Sequence, residues 1–215
     1  MFSFDEKKST PLCEIMERYG SDKGSMNIDT CWHNYTTCYY NLFKDRKQDT
    51  LRIFELGVGT NHIDVPSHMG IDGKPGASLY GWEEFFPNST IFGADIDTRI
   101  LFTTDKIKTF FCDQTNPISI KKLWEEPELQ EPFDIIIEDG LHQFHANVCF
   151  FENSIHKLNK NGYFIIEDIS FRDYDLFVNK IPYWEFRYSD CSFTLLNMPL
   201  KTNQGDNTLL IVFKS

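Results

Sequence analysis

The sequence predicts an α/β fold, a mostly parallel sheet with helices on both faces, and two observations predict it. From residue 51 onward, short apolar runs that end in acids or glycines alternate with helix-like stretches. Alternating strand and helix implies parallel strands joined by crossover helices. The chain then closes on two strand-like segments, YWEFRYS and NTLLIVFKS, with no convincing helix between them. That pattern suits an antiparallel hairpin at the sheet edge.

In chain order, STPLCEIMERYG offers a Ser/Thr cap, Pro11 in a first turn and Gly20 as a stop, so residues 11–19 read as a short helix. After a polar loop, Tyr35, Tyr39 and Phe43 recur every four residues, as on one helical face. Five runs then read as strands: LRIFELG, TIFGADID, KTFFCD, FDIIIEDG and GYFIIEDI. Helices are expected in GASLYGWEEFF, PISIKKLWEE and QFHANVCFFENSIHKLNKNG. In the last, Phe144, Val148, Phe151, Ile155 and Leu158 form one stripe that Gly162 is expected to end. The whole of 1–215 reads as a single domain, with an N-terminal helical segment over 1–49 and the α/β core over 50–215.

Composition narrows the function classes. A 41% apolar fraction with 20 phenylalanines belongs to a packed globular chain. A net charge of -11 opposes a nucleic-acid partner, whose phosphates need cationic neutralisation. Six cysteines without a C-x-x-C pair suit free buried thiols in a reducing compartment. The charged N-terminus lacks the apolar core of a secretory signal, and no run approaches a membrane span. A soluble, cytoplasmic protein is expected.

FELGVGTN places Glu55 at the end of the first strand and Gly57 and Gly59 in the turn after it, closed by Asn61. Glycines there let a ligand approach the backbone. A dinucleotide fingerprint would need a third glycine where His62 stands, which disfavours an NAD-dependent oxidoreductase. Asp95 ends the second strand, where an acid can accept from both hydroxyls of a ribose. Asp113 and Gln114 end the third, within reach of an adenine edge. Together these positions favour an adenosine-type ligand.

The fourth and fifth strands both end in Glu-Asp. If they are parallel neighbours ~4.8 Å apart, Asp139 and the Glu167/Asp168 pair point into one small volume. Carboxylates that close repel one another unless a cation lies between them, and a hard, oxygen-liganded ion such as Mg²⁺ resolves the conflict. His142, three residues past Asp139 and after a glycine, is placed to act there as a general base. Glu138 should point to the opposite face, and His145 to the surface.

ELGVG, GASLYGWEEFFPNSTIFGADID, CDQT, IIIEDGLHQFH and NGYFIIEDI together resemble the class I S-adenosylmethionine-dependent methyltransferases. Within that class they are most similar to the metal-dependent sugar O-methyltransferases of macrolide biosynthesis, the mycinamicin and macrocin type. ERYGSDKG and HNYTTCYYNLF resemble the segment that precedes the fold in that group, so the likeness covers nearly the whole chain. It implies a Rossmann-like, seven-stranded sheet whose last strand is antiparallel. It also implies that Gly57, Gly59, Ser78, Asp95, Asp113 and Gln114 hold the cofactor, that Asp139, Glu167 and Asp168 bind the metal, and that His142 is the base. The group usually carries Asp-Asp-Gly-Ser-His where this chain has EDGLH, so Leu141 replaces a small polar residue and Glu138 an aspartate. The large additional N-terminal domain of some members has no counterpart in this sequence, so their substrates and assembly do not transfer.

The expected activity is methyl transfer to a hydroxyl of a sugar or sugar-containing small molecule, assisted by a divalent metal. A catalytically inactive cofactor-binding protein is the alternative from another class. The aromatic N-terminal helices are candidate interfaces for a homo-oligomer.

Overall fold

The computed structural model describes residues 4–215, so the first three residues of the expected N-terminal segment lie outside it. Its strands are β1 (Arg52–Leu56), β2 (Thr90–Asp95), β3 (Ile107–Phe111), β4 (Phe133–Glu138), β5 (Leu158–Ile166), β6 (Cys191–Asn197) and β7 (Thr208–Lys214). They form one sheet in the order β3-β2-β1-β4-β5-β7-β6. The first five are mutually parallel, and β7 runs antiparallel to both β5 and β6. The five apolar runs are the five parallel strands. Between β1 and β4 the order reverses, and the crevice at such a switch point is where open α/β sheets bind ligands.

Among the described residues six α-helices cover the sheet: α1 (Pro11–Tyr19), α2 (Tyr35–Phe43), α3 (Ala77–Phe85), α4 (Pro117–Trp124), α5 (Phe144–Ser154) and α6 (Tyr174–Arg187). Helix α1 has the boundaries its caps predict. The Thr10 side chain accepts from the Cys13 amide, and Gly20 takes the left-handed conformation. The chain's two sheet faces are legible in three isoleucines of β4. Ile135 and Ile137 pack in the cluster with α1, α2 and α3, while Ile136 packs in the cluster with α4, α5 and α6. Successive strand side chains point to opposite faces, and here both faces are dry.

Tyr35, Tyr39 and Phe43 share one face of α2, as their spacing predicts, and all three are fully buried. They pack into the chain's own core, which removes these rings from the candidate interface surface. Among the described residues all six cysteines are free thiols, four of them buried. No helix among them is long and apolar enough to cross a membrane.

Two expectations are corrected. The segment containing YWEFR is helical, the C-terminal part of α6, and the strand that pairs with β7 is the following CSFTLLN. Alternating Trp184 and Phe186 imitates a strand, but Trp184 is buried with Phe177 one helical heptad earlier, whereas Phe186 is exposed. Gly162 is likewise not a helix stop. Helix α5 ends at Ser154, a 3₁₀ turn follows, and β5 already begins at Leu158. Leu158 belongs to the same buried cluster as α5, so the helical stripe runs unbroken into a strand.

Candidate active site

The period of the strands brings the acids together. Phe54, Ile136 and Ile166 face α4–α6, so the next residues outward, Glu55, Ile137 and Glu167, face α1–α3, and Asp139 follows Ile137 on that side. Register places Glu138 beside Ile166, hence Asp139 beside Glu167 at the tips of neighbouring strands. Asp168 should then turn away, but it adopts a left-handed backbone (φ 53°), and so does His142 (φ 56°). That conformation is uncommon for residues with a Cβ and calls for a functional or packing reason.

The two turns converge. His142 Nε2 lies 3.0 Å from Asp139 Oδ1, and its Nδ1 lies 3.4 Å from Asp168 Oδ2. One ligand atom from each of Asp139, His142 and Asp168 falls within 4.8 Å of the others. A single ion with bonds of about 2.1–2.4 Å spans such a group. Glu167 is placed at the same tip but turned inward, with Tyr39 Oη donating to Oε1 at 2.5 Å and Lys23 Nζ to Oε2 at 2.6 Å. The Tyr35 hydroxyl donates to Asp168 Oδ1 at 2.7 Å.

The charges fit a cation. Burial pushes the carboxyls of Glu55, Glu167 and Asp168 up, because more acid is buried here than the fold neutralises. Asp139 is partly buried, yet the Lys23 ammonium and His142 hold its carboxyl well below the usual range. Burial would lower His142, but Asp168 and Asp139 outweigh it and raise the imidazole to about 10. With no metal bound, His142 is therefore a cation at neutral pH.

The sign of this shift sets a pH dependence. A raised histidine stabilises the fold fully below its unfolded value, about 6.5, and loses that contribution as pH rises through about 10. In chelator, the Tm difference between the unaltered protein and His142→Gln is expected to be larger near pH 6.5 and to shrink as pH rises through about 10. A pH-independent difference measured by calorimetry would assign the effect to packing.

Beside the acids, a pocket opens at the β1/β4 switch point, lined by Gly57, Gly59, Asp95, Asp113, Gln114 and Asp139 among others. Five of the residues assigned to the cofactor are thus brought together. Glu55, Asn61 and Ser78 are not in its lining. Ser78 donates to Glu55, which also accepts from Trp82 Nε1 at 2.5 Å. Asp95 ties down the glycine turn. Its Oδ2 accepts from the amides of Val58 and Gly59, and its Oδ1 from that of Asp97. Of about four lone-pair sites on a carboxylate, roughly one remains for a ribose hydroxyl, fewer than its place at the strand end suggests.

Gln114 both lines the pocket and braces its floor, donating to Glu138 Oε1 at 2.8 Å and accepting from the Leu141 amide at 2.7 Å. Glu138 faces away from the acids, as expected, and also accepts from Asn147 Nδ2 at 2.5 Å. His145 is exposed. Leu141 lines the pocket, as do Val65, Pro66 and Ser67, and the Ser67 hydroxyl donates to the Leu141 carbonyl at 3.0 Å.

No protein-family model matches the chain. Curated relatives do match. An L-olivosyl-oleandolide 3-O-methyltransferase of Streptomyces antibioticus is 31% identical over 163 residues, 75% of this chain and 38% of that protein. An 8-demethyl-8-alpha-L-rhamnosyl tetracenomycin-C 2'-O-methyltransferase of Streptomyces olivaceus is 29% identical over 158 residues, 74% of this chain and 37% of that protein. Over about three quarters of its length the chain is similar to sugar O-methyltransferases. It spans less than two fifths of the length of these relatives. The MycE methyltransferase of the mycinamycin biosynthetic pathway, in complex with Mg and SAH, superposes with a TM-score of 0.72 at 21% identity, over 97% of this chain and 56% of that one. This structural likeness shows a shared fold.

Lys23, Tyr35 and Tyr39 are the site residues that sequence reasoning missed. Their signal was present in SDKG and in tyrosines four apart, whose hydroxyls need polar partners once the helix is buried.

Proposed function

We propose that the protein is an S-adenosylmethionine-dependent, divalent-metal-assisted O-methyltransferase acting on a hydroxyl of a sugar or sugar-containing small molecule. The observation that carries this reading is the junction of the switch-point pocket with the Asp139–His142–Asp168 cluster, since Asp139 belongs to both. The named activities of the homologous sugar O-methyltransferases support it, as does the MycE complex with Mg, SAH and mycinamycin VI.

In this reading Gly57, Gly59, Asp95, Asp113 and Gln114 hold the cofactor, with Glu55, Asn61 and Ser78 supporting the turn and helix around it. Asp139 and Asp168 hold the metal, and Glu167 joins them when its inward contacts are released. A divalent ion held there would lower the pKa of the acceptor hydroxyl, and the cofactor would supply the methyl group from its sulfonium. His142 would take the hydroxyl proton. Taking up a proton requires a neutral imidazole, so the charge of Asp139 and Asp168 must first be compensated by another cation. The pocket's role is to align oxygen, methyl and sulfur.

Calorimetric titration of S-adenosylhomocysteine into the protein tests this reading. Binding in the micromolar range is expected both with Mg²⁺ and with chelator, because the pocket lies beside the metal site. No binding in either condition would remove the methyltransferase reading.

A further inference from the structure

The acidic cluster already contains a cation supplied by the chain. Lys23 lies on the loop between α1 and α2, and its side chain is only 3% exposed. Its Nζ donates to Asp139 Oδ2 at 2.5 Å and to Glu167 Oε2 at 2.6 Å, and Glu55 Oε1 lies 3.6 Å away. The loop is fixed where it delivers this side chain. The Lys23 carbonyl accepts from the Thr36 amide at 3.1 Å. Gly24 packs so tightly against Thr36 that a Cβ there would come within 1.8 Å of its hydroxyl.

We propose that Lys23 is a tethered cation that stands in for the metal on Asp139 and Glu167, so that ion capture is an exchange in which the ammonium gives up these two carboxylates. The proposal rests on the reading above that the site takes a divalent ion. Four carboxylates, Glu55, Asp139, Glu167 and Asp168, meet at the strand tips, and all except Asp139 are buried to within a tenth of complete. Without an internal cation they would repel one another while the chain folds, before any ion arrives. A lysine suits the task because its ammonium is a point charge on a flexible four-carbon stem that makes no bidentate lock. Glu55 offers the ammonium a place to retreat without leaving the acids, since it is already within 3.6 Å. Lys23 touches no reacting atom in this scheme. It is a positioning residue that preserves the site when it is empty and sets the ion affinity below that of the bare carboxylates.

The test is titration of MgCl₂ into the chelator-stripped full chain by calorimetry, with Tm recorded in chelator and in Mg²⁺. Lys23→Met removes the charge at similar length, and Lys23→Gln keeps one donor if the apolar variant folds poorly. Both are expected to bind Mg²⁺ at least about tenfold more tightly, because a unit positive charge a few ångströms from the ion is gone. Both should also lose Tm in chelator and recover most of it with Mg²⁺, while Lys23→Arg, which keeps the charge, should not tighten Mg²⁺ binding. Variants that fold only with Mg²⁺ support the proposal in its strongest form. Unchanged or weaker Mg²⁺ binding, the same Tm loss with and without the ion, or variants unfolded in both conditions would overturn it. Tighter Mg²⁺ binding by the variants with no S-adenosylhomocysteine binding would remove the methyltransferase reading and leave this one. Cofactor binding with no Mg²⁺ uptake by any form would do the reverse.

Discussion

Asp139→Asn is expected to lower methyl transfer by at least about a hundredfold while S-adenosylhomocysteine affinity changes little. Asp139 is the residue shared by the pocket and the cluster, and its two oxygens serve different partners, His142 on Oδ1 and Lys23 on Oδ2. Asparagine keeps the shape and most of the contacts, but it removes the charge that attracts a divalent ion. It also removes a neighbour that determines whether His142 is protonated. The residues proposed to hold the cofactor lie mainly on the glycine turn and at the ends of β2 and β3, so the substitution leaves them intact. The measurement is product formation by mass spectrometry alongside calorimetric titration of the cofactor product. Equal loss of turnover and of cofactor binding would reject the separation of roles drawn here.

Gly57→Ala is expected to destabilise the fold by about 3 kcal/mol or more, because it combines left-handed backbone strain with a steric collision. Gly57 has φ 93°, and a Cβ there would lie 1.8 Å from the Asp139 carbonyl oxygen. Neither side can yield easily. The Gly57 amide donates to the Ala94 carbonyl at 2.8 Å, and the Asp139 amide donates to that of Leu56 at 2.8 Å. Gly70 supplies the control, with φ 79° and nothing within 4 Å of a Cβ. Gly70→Ala should carry only the backbone cost of about 1–2 kcal/mol. Denaturant unfolding of both variants decides the matter. Equal stabilities would mean that the contact between the β1 turn and the β4 tip is not rigid.

The parallel core was legible because burial on both faces leaves continuous apolar runs such as the three isoleucines of β4, and their polar ends mark the strand tips. Paired Glu-Asp steps on two such runs were enough to place Asp139 beside Glu167 once the strands were taken as neighbours. The C-terminal region was less legible. In α6, alternating aromatics cannot be assigned to strand or helix by pattern alone, because Trp184 is buried for its position seven residues after Phe177. The same ambiguity hid the start of β5, where Leu158 satisfies both the helical stripe and the strand.

The sequence by itself determined the parallel sheet, the glycine turn, the acids at the strand tips and the histidine beside them. Each of these is a local pattern, set by side-chain period and backbone sterics within a few residues. Only the tertiary structure decided how the acids are shared. Lys23 reaches Asp139 and Glu167 across 116 and 144 residues, and Tyr39 reaches Glu167 across 128. Left-handed turns at His142 and Asp168 bring side chains to one face that strand alternation would have separated. Electrostatic partnership in a buried cluster depends on distances of a few ångströms between segments remote in sequence, and no local pattern carries that information.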